Sequence, residues 1–218
     1  MKYIFCLRVS QTRTRWRFIM EKKKFFSAKN VTGIAVLLAL VIFLQAVLGA
    51  IKIGATSFSL VLVPIVLGGL LFGMGTGAFL GFAFGLITFI YGVTGADPFT
   101  AILFNDHPLL TALTCFGKGT AAGFCGGFIY KLLHRKNELV GVFAAAAIVP
   151  IVNTGLFILG ALLMSDTLSA NFVADGTTVI YFLVIGCAGV NFLVEFAVNL
   201  LAAPAIHRVI GIIRKGRK

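Results

Sequence analysis

Seventeen of the nineteen Lys and Arg residues of this 218-residue chain fall in three short stretches. These are the segment up to Lys29, the connection Lys131–Lys136 and the tail Arg208–Lys218. Long apolar runs separate them, and only Lys52, in a short connection, and Lys118, inside an apolar run, stand apart. Runs of this length that are free of charge have too few polar residues to cover a water-soluble core. Apolar residues make up 59% of the chain and charged ones 12%, roughly half the charged share of a soluble domain. Mean hydropathy is +1.03. The chain reads as an integral membrane protein with one compact unit and no separate soluble domain.

A net charge of +12 in a soluble protein would point to nucleic acid. Here the cations flank apolar spans, so they read as orientation signals and contacts to the anionic headgroups of the bilayer, with no nucleic acid implied. The cysteines, Cys6, Cys115, Cys125 and Cys187, form no CxxC pair, and three lie within apolar spans. They read as small buried side chains rather than disulfides or metal ligands.

A helix needs about 20 apolar residues to cross the hydrocarbon core, fewer where neighbours or thinning permit. The first run is Val31–Ala50. Apolar character resumes at Phe58 and continues to Tyr91, too long for one helix. The natural break is Gly73-Met74-Gly75-Thr76-Gly77, a hairpin that divides the run into spans near Phe58–Phe72 and Gly77–Tyr91. Further spans are expected at Leu109–Leu133, Leu139–Met164 and Thr178–Ile206. With six spans, all three basic stretches fall on one side, which the positive-inside bias makes cytoplasmic. Five spans would split them across the membrane. The expected fold is therefore an all-α bundle of six transmembrane helices with both termini cytoplasmic. Lys52, Asp97, Asp106, Asp166 and Asp175 then lie in external connections.

Three regions are expected: a basic cytoplasmic segment over 1–29 that is disordered, the membrane domain over 30–210 and a basic tail over 211–218. Met20-Glu21-Lys22-Lys23-Lys24 resembles an ordinary bacterial start, which puts residues 1–19 in question. A cleaved signal peptide is the weaker reading of residues 1–50, because both its basic region and its apolar core would be too long.

Glycines recur at four-residue spacing in Gly77-x-x-x-Gly81-x-x-x-Gly85 and in Gly119-x-x-x-Gly123-x-x-x-Gly127. Each row can seat a neighbouring helix at close range. On the first helix, Ala35 and Ala39 form a small-residue stripe, suited to internal packing or to docking a partner subunit.

Two ionisable residues, Lys118 and Glu195, lie within spans, where charge is costly and usually faces a wet cavity. Asn191, Glu195 and Asn199 stand four residues apart on one helical face, and Asn153 adds a polar group on the preceding span. Lys118 either forms the base of an external cavity that attracts an anionic solute or pairs with Glu195 to lock two helices. Gly117-Lys118-Gly119-Thr120 superficially resembles a phosphate loop, but position 112 is Ala, Gly119 replaces the hydroxyl residue and no strand precedes it. His107, His134 and His207 sit at span ends without metal spacing. Asp106-His107 has no nucleophile beside it, so an enzyme is a poor reading. The connections Ile51–Ser59 and Gly92–Pro108 are expected loops, the first able to cover a cavity and the second long enough to carry function.

Over residues from about Asn30 to the C-terminus the chain resembles the substrate-binding S-components of energy-coupling-factor (ECF) vitamin transporters. The resemblance is carried by the Ala35/Ala39 stripe, IKIGATSFSLVLVPIVLGG (51–69), LLFGMGTGAFLGFAFG (70–85), DPFTAILF (97–104) and the glycine-rich fourth span. It implies a six-helix protein that captures a vitamin or its precursor from outside, with the first loop as a gate. It also implies no cofactor in this chain. ATP would be hydrolysed by two cytoplasmic ATPases, reached through a transmembrane coupling subunit onto which Ala35 and Ala39 dock.

The candidate substrate residues are Lys118, Lys52, Phe58, Phe99, Asn153, Asn191 and Glu195. Lys118 in an otherwise uncharged helix favours a small carboxylate, with pantothenate the first choice. Riboflavin is the alternative, stacked on Phe58, Phe99 and Phe104. Other classes are a self-sufficient carrier with Glu195 as its proton-coupled carboxylate, and a membrane scaffold with no ligand.

Overall fold

The computed structural model describes residues 28–49, 52–53, 56–57, 60–173 and 176–215. The expectations for the N-terminal segment up to residue 27, for Phe58 and for Asp175 lie outside these residues. The chain divides into residues 1–36 and 37–218. Of the first unit the described part is the opening of helix α1 (Ala28–Leu48). The rest of α1 and every later element belong to the second unit.

After α1, two short strands, β1 (Lys52–Ile53) and β2 (Thr56–Ser57), pair antiparallel with Lys52 opposite Ser57. The first connection is thus a small hairpin.

Helix α2 (Leu62–Phe72) stops at Gly73, and α3 (Met74–Val93) starts at the very next residue. The break expected over five residues is made by one. Gly73 has φ +100°, a conformation that only glycine adopts cheaply, and its N–H still donates to the Gly69 carbonyl at 3.1 Å. Gly75 and Gly77 belong to α3.

The two glycine rows meet each other. A methyl group on Gly77 would collide with the backbone of Gly123, one on Gly81 with Gly119 and one on Gly85 with Cys115. Helices α3 and α5 (Pro108–Leu133) therefore touch backbone to backbone. In lipid there is no hydrophobic drive to bring helices together, so small residues contribute through this close van der Waals contact. The expected internal packing role of both rows holds.

The stretch Gly92–Pro108, expected as a loop, is largely helix α4 (Pro98–Asp106). The signal lay in Asp97-Pro98. The Asp97 carboxylate accepts hydrogen bonds from the Thr100 N–H and hydroxyl, and Pro98 occupies the first turn, where its missing N–H is no loss. Phe99, Thr100 and Leu103 are buried. Helix α6 (Glu138–Leu162) begins in the same manner, with the Asn137 side chain accepting from the N–H groups of Leu139 and Val140. A short helix, α7 (Ser165–Asn171), is tied back to the α4–α5 junction. The Thr167 hydroxyl donates to Asp106 at 2.9 Å, and His107 Nε2 lies 3.4 Å from the Asp166 carboxylate. That carboxyl is held below its ordinary range, first by the Thr167 N–H.

The last apolar stretch departs from a single regular helix. A turn of α8 (Val179–Tyr181) runs into a π-helical segment, Phe182–Gly189, and then into α9 (Val190–Lys215), which extends beyond the expected end at Ile206. A π segment is rare and occurs mostly beside functional sites.

Among the described residues, four helices are long and apolar enough to cross a membrane: α1, α3, α6 and the continuous run Val179–Ile213. Helix α2 has only 11 residues, yet Leu62, Ile65 and Val66 within it are almost completely buried. Its neighbours surround it, which is why its sequence is apolar on every face. Around it the core is completed by Val41, Leu80, Val142, Ala145, Val149 and Ile210.

Candidate functional site

Elements from across the larger unit converge on a cavity of about 90 Å³, partly open to solvent. Helix α5 contributes Lys118, and α6 contributes Asn153, Thr154 and Phe157. The π segment supplies Cys187 and Ala188, and α9 adds Asn191, Phe192 and Glu195. Helix α3 presents Phe84, Thr88 and Tyr91, while Asp97, Phe99 and Thr100 come from the start of α4 and Gln45 from the end of α1.

Five residues singled out in the sequence, Lys118, Asn153, Asn191, Glu195 and Phe99, thus line one cavity. Lys52 lies in β1, where the backbone alone is described, and Phe58 falls outside the described residues. Phe104 does not reach the cavity wall and packs edge-on against Phe89, with ring centres 5.5 Å apart.

Lys118 and Glu195 share the cavity without pairing. The Lys118 ammonium faces aromatic rings, 5.1 Å from the centre of Phe157 and 5.7 Å from that of Phe84. Ring faces attract a cation by about 0.5–2 kcal/mol, less than a charge-assisted hydrogen bond in a dry site supplies. Glu195 is 7% exposed, and its carboxylate accepts no hydrogen bond from the described residues. Lys118 is close enough for its charge to act on Glu195, but the two form no ion pair within 4.0 Å. The structural pair offered as an alternative to an anion site is therefore not made in this conformation.

Other polar groups complete the lining. Asn153 is 7% exposed, and its Oδ1 is buried with no hydrogen-bond partner. Buried polar atoms in native proteins nearly always have partners, so an orphan oxygen on a cavity wall points to an external donor. Gln45 and Asn191 are buried as well. The rings of Phe99 and Phe157 lie 6.0 Å apart, and Phe99 continues to Phe172 at 5.0 Å. The cavity has apolar aromatic walls with a few charged and amide groups set into them.

The polar stripe on α9 continues past the cavity. The Asn199 side chain donates to the Glu195 backbone carbonyl at 2.8 Å, and the residue is 1% exposed.

Sequence reasoning missed Gln45, Thr88, Tyr91, Asp97, Thr100 and Thr154 as lining residues. Asp97 was readable as a helix cap, which would have turned Phe99 and Thr100 inward with it. Gln45 was the one amide of its apolar helix beyond the first turn. The threonines carried no comparable signal, since a helical threonine commonly spends its hydroxyl on the carbonyl four residues back, as Thr88 does on Phe84 at 3.1 Å.

Among the described residues no three His, Cys, Asp or Glu side chains gather closely enough to hold a metal ion. Cys115 and Cys187 are buried, Cys125 is half-buried, and no disulfide joins them.

A family model described as "ECF transporter, substrate-specific component" matches residues 29–207. A search of curated proteins gives no match.

Proposed function

The chain belongs to the ECF transporter substrate-specific component family, and we propose that it captures a small carboxylate-bearing vitamin or vitamin precursor in the Lys118 cavity. As a member of that family it is a multi-pass, substrate-binding transport subunit rather than an enzyme. The observation that carries the substrate reading is the Lys118 ammonium at the cavity wall, facing aromatic rings rather than a carboxylate. A bound carboxylate would give that cation a charge-assisted hydrogen bond. Pantothenate is the first choice, because it is small and carries one acid group for Lys118. Riboflavin is the less favoured ligand, since Phe104 turns away from the cavity and Phe99 is left as the described ring of the proposed stack.

The proposed arrangement has six spans, with α2 and α5 joining the four apolar helices and both termini cytoplasmic in a bacterial cell membrane. Helix α2 is short for a bilayer, but it is enclosed by neighbours rather than by lipid. The β1–β2 hairpin with Lys52 would act as a gate over the outer mouth. Energy would come from ATP hydrolysed by two ATPase subunits, reached through a membrane coupling subunit. Ala35 and Ala39, both exposed on α1, are the proposed contact to that subunit. A self-sufficient carrier is the alternative, favoured only by the unpaired Glu195.

The test is a thermal-shift screen of B vitamins and their precursors on purified full-length protein, with titration calorimetry on any binder. We expect stabilisation by pantothenate or another small acid, abolished by Lys118→Ala without loss of the folded form. Equal affinity in the variant would remove Lys118 from the site. Uptake by the chain alone, with no coupling or ATPase subunits present, would favour the carrier.

A further inference from the structure

The cavity walls do not suit a simple anion. Glu195 is as buried as Asn153, lines the same space, and its carboxylate accepts nothing from the described residues. When ionised, Glu195 is an acceptor only, so a ligand group that meets the carboxylate must bring hydrogens. Asn153 Oδ1 asks for the same thing: it is a buried acceptor with no donor.

The charge balance points the same way. Among the described residues the lining holds one cation, Lys118, and two acids, Asp97 and Glu195. Asp97 is compensated locally, since it caps α4 and faces the positive end of that helix. Lys118 and Glu195 then balance at a distance. A ligand that delivered only an anion would neutralise Lys118 and leave Glu195 as a desolvated, unpaired charge. Such a charge, buried without a partner, is strongly destabilising. A ligand that also carries hydrogen-bond donors would satisfy these acceptors as well.

We propose that the ligand is bifunctional, with an acid group held by Lys118 and, elsewhere on the same molecule, hydroxyl or amine donors read by Glu195 and Asn153. This rests on the anion-binding reading of Lys118 and narrows it. Glu195 becomes a specificity residue that rejects acids without donors. Phe84 and Phe157, the rings beside the Lys118 ammonium, line the same cavity.

The experiment uses purified full-length protein and matched probe pairs. Each pair is an acid with donors and the same acid without them: pantothenate against its analogue lacking both hydroxyls, and 4-aminobenzoate against benzoate. Pantothenol, in which the acid is replaced by an alcohol, reports on the Lys118 end. We expect at least tenfold tighter binding of the donor-bearing member of a pair. Glu195→Met, which keeps the length and removes the acceptor, should shrink that preference to less than threefold. Glu195→Gln, whose amide oxygen still accepts, should leave a preference between those two values. Lys118→Ala should weaken both members together.

Equal binding within every pair would overturn the proposal, as would a Glu195 substitution that weakens both members equally. If pantothenol binds as well as pantothenate while the donor preference persists, the Lys118 reading fails and the donor end stands alone as a cation or hydroxyl site. That outcome still removes the bifunctional ligand. A panel with no binder at all counts against both readings.

Discussion

At Gly81 and Gly123 the lack of a side chain is itself the interaction. A Cβ at either position would strike the backbone of the facing helix, so alanine there must push α3 and α5 apart. Overpacking of this kind costs roughly 1–3 kcal/mol, and more where the obstacle is backbone that cannot turn aside. Gly117, one position before Lys118, has nothing within 4 Å of where its Cβ would stand. Gly81→Ala should therefore lower the melting temperature in detergent clearly, while Gly117→Ala should leave it unchanged or raise it by the helix propensity gained, up to about 1 kcal/mol. Equal effects at the two positions would refute the face-to-face packing. Residue-scale reading of the sequence did well wherever chemistry was unusual for its setting. Lys118 and Glu195 were conspicuous as charges inside apolar spans, and Asn153 and Asn191 as amides there. Thr88, Thr100 and Thr154 were not, because threonine in a membrane helix commonly bonds its own backbone and looks the same on any face.

Helix α4 and the π segment are the two elements that shape the cavity and that hydropathy alone did not define. Asp97 links the first of them to the site, since it caps the helix that carries Phe99 and Thr100 into the cavity wall. Asp97→Ala should cost about 1 kcal/mol of stability through the lost cap and should weaken ligand binding by loosening those two side chains. Asp97→Asn, which keeps a capping oxygen, should restore most of both; failure to do so would mean that the charge itself acts on the ligand. In the π segment, one residue more than a regular helix would use rotates the next turns of the chain. Deletion of the exposed Ile185 should return the run to α-helical geometry and turn the residues before the deletion against Asn191, Phe192 and Glu195. The expected result is a protein that still inserts and folds but binds ligand at least tenfold more weakly, measured by calorimetry. An unchanged affinity would make the segment a mere packing irregularity. Neither element was fully legible beforehand. A nine-residue helix between polar flanks resembles a loop in hydropathy, although Asp97-Pro98 did mark its start. A π segment has no composition of its own and arises from the misfit of packing on both sides.

For the whole molecule, the proposed orientation is set by the basic stretches. Single cysteines at Arg135 and at Ser169, introduced into a cysteine-free background, should report opposite sides in intact cells. A membrane-impermeant maleimide should label the second and not the first; labelling of the first and not the second would overturn the six-span arrangement. At the same scale, Ala39→Trp should block co-purification with coupling and ATPase subunits while ligand affinity stays within about twofold. Normal assembly would exclude this face as the docking surface.

The sequence by itself determined that the chain is built for a membrane, where its long helices begin to within a few residues, and which charges lie inside apolar spans. These rest on the cost of placing charge in hydrocarbon and on backbone rules that act over a few neighbouring residues. Only the tertiary structure decided that the two glycine rows meet each other, that Lys118 and Glu195 share a cavity without pairing, and that Asp97 and Gln45 border it. Those facts depend on the rotation and depth of each helix against the next. They are fixed by contacts between segments far apart in the chain, which no local pattern encodes.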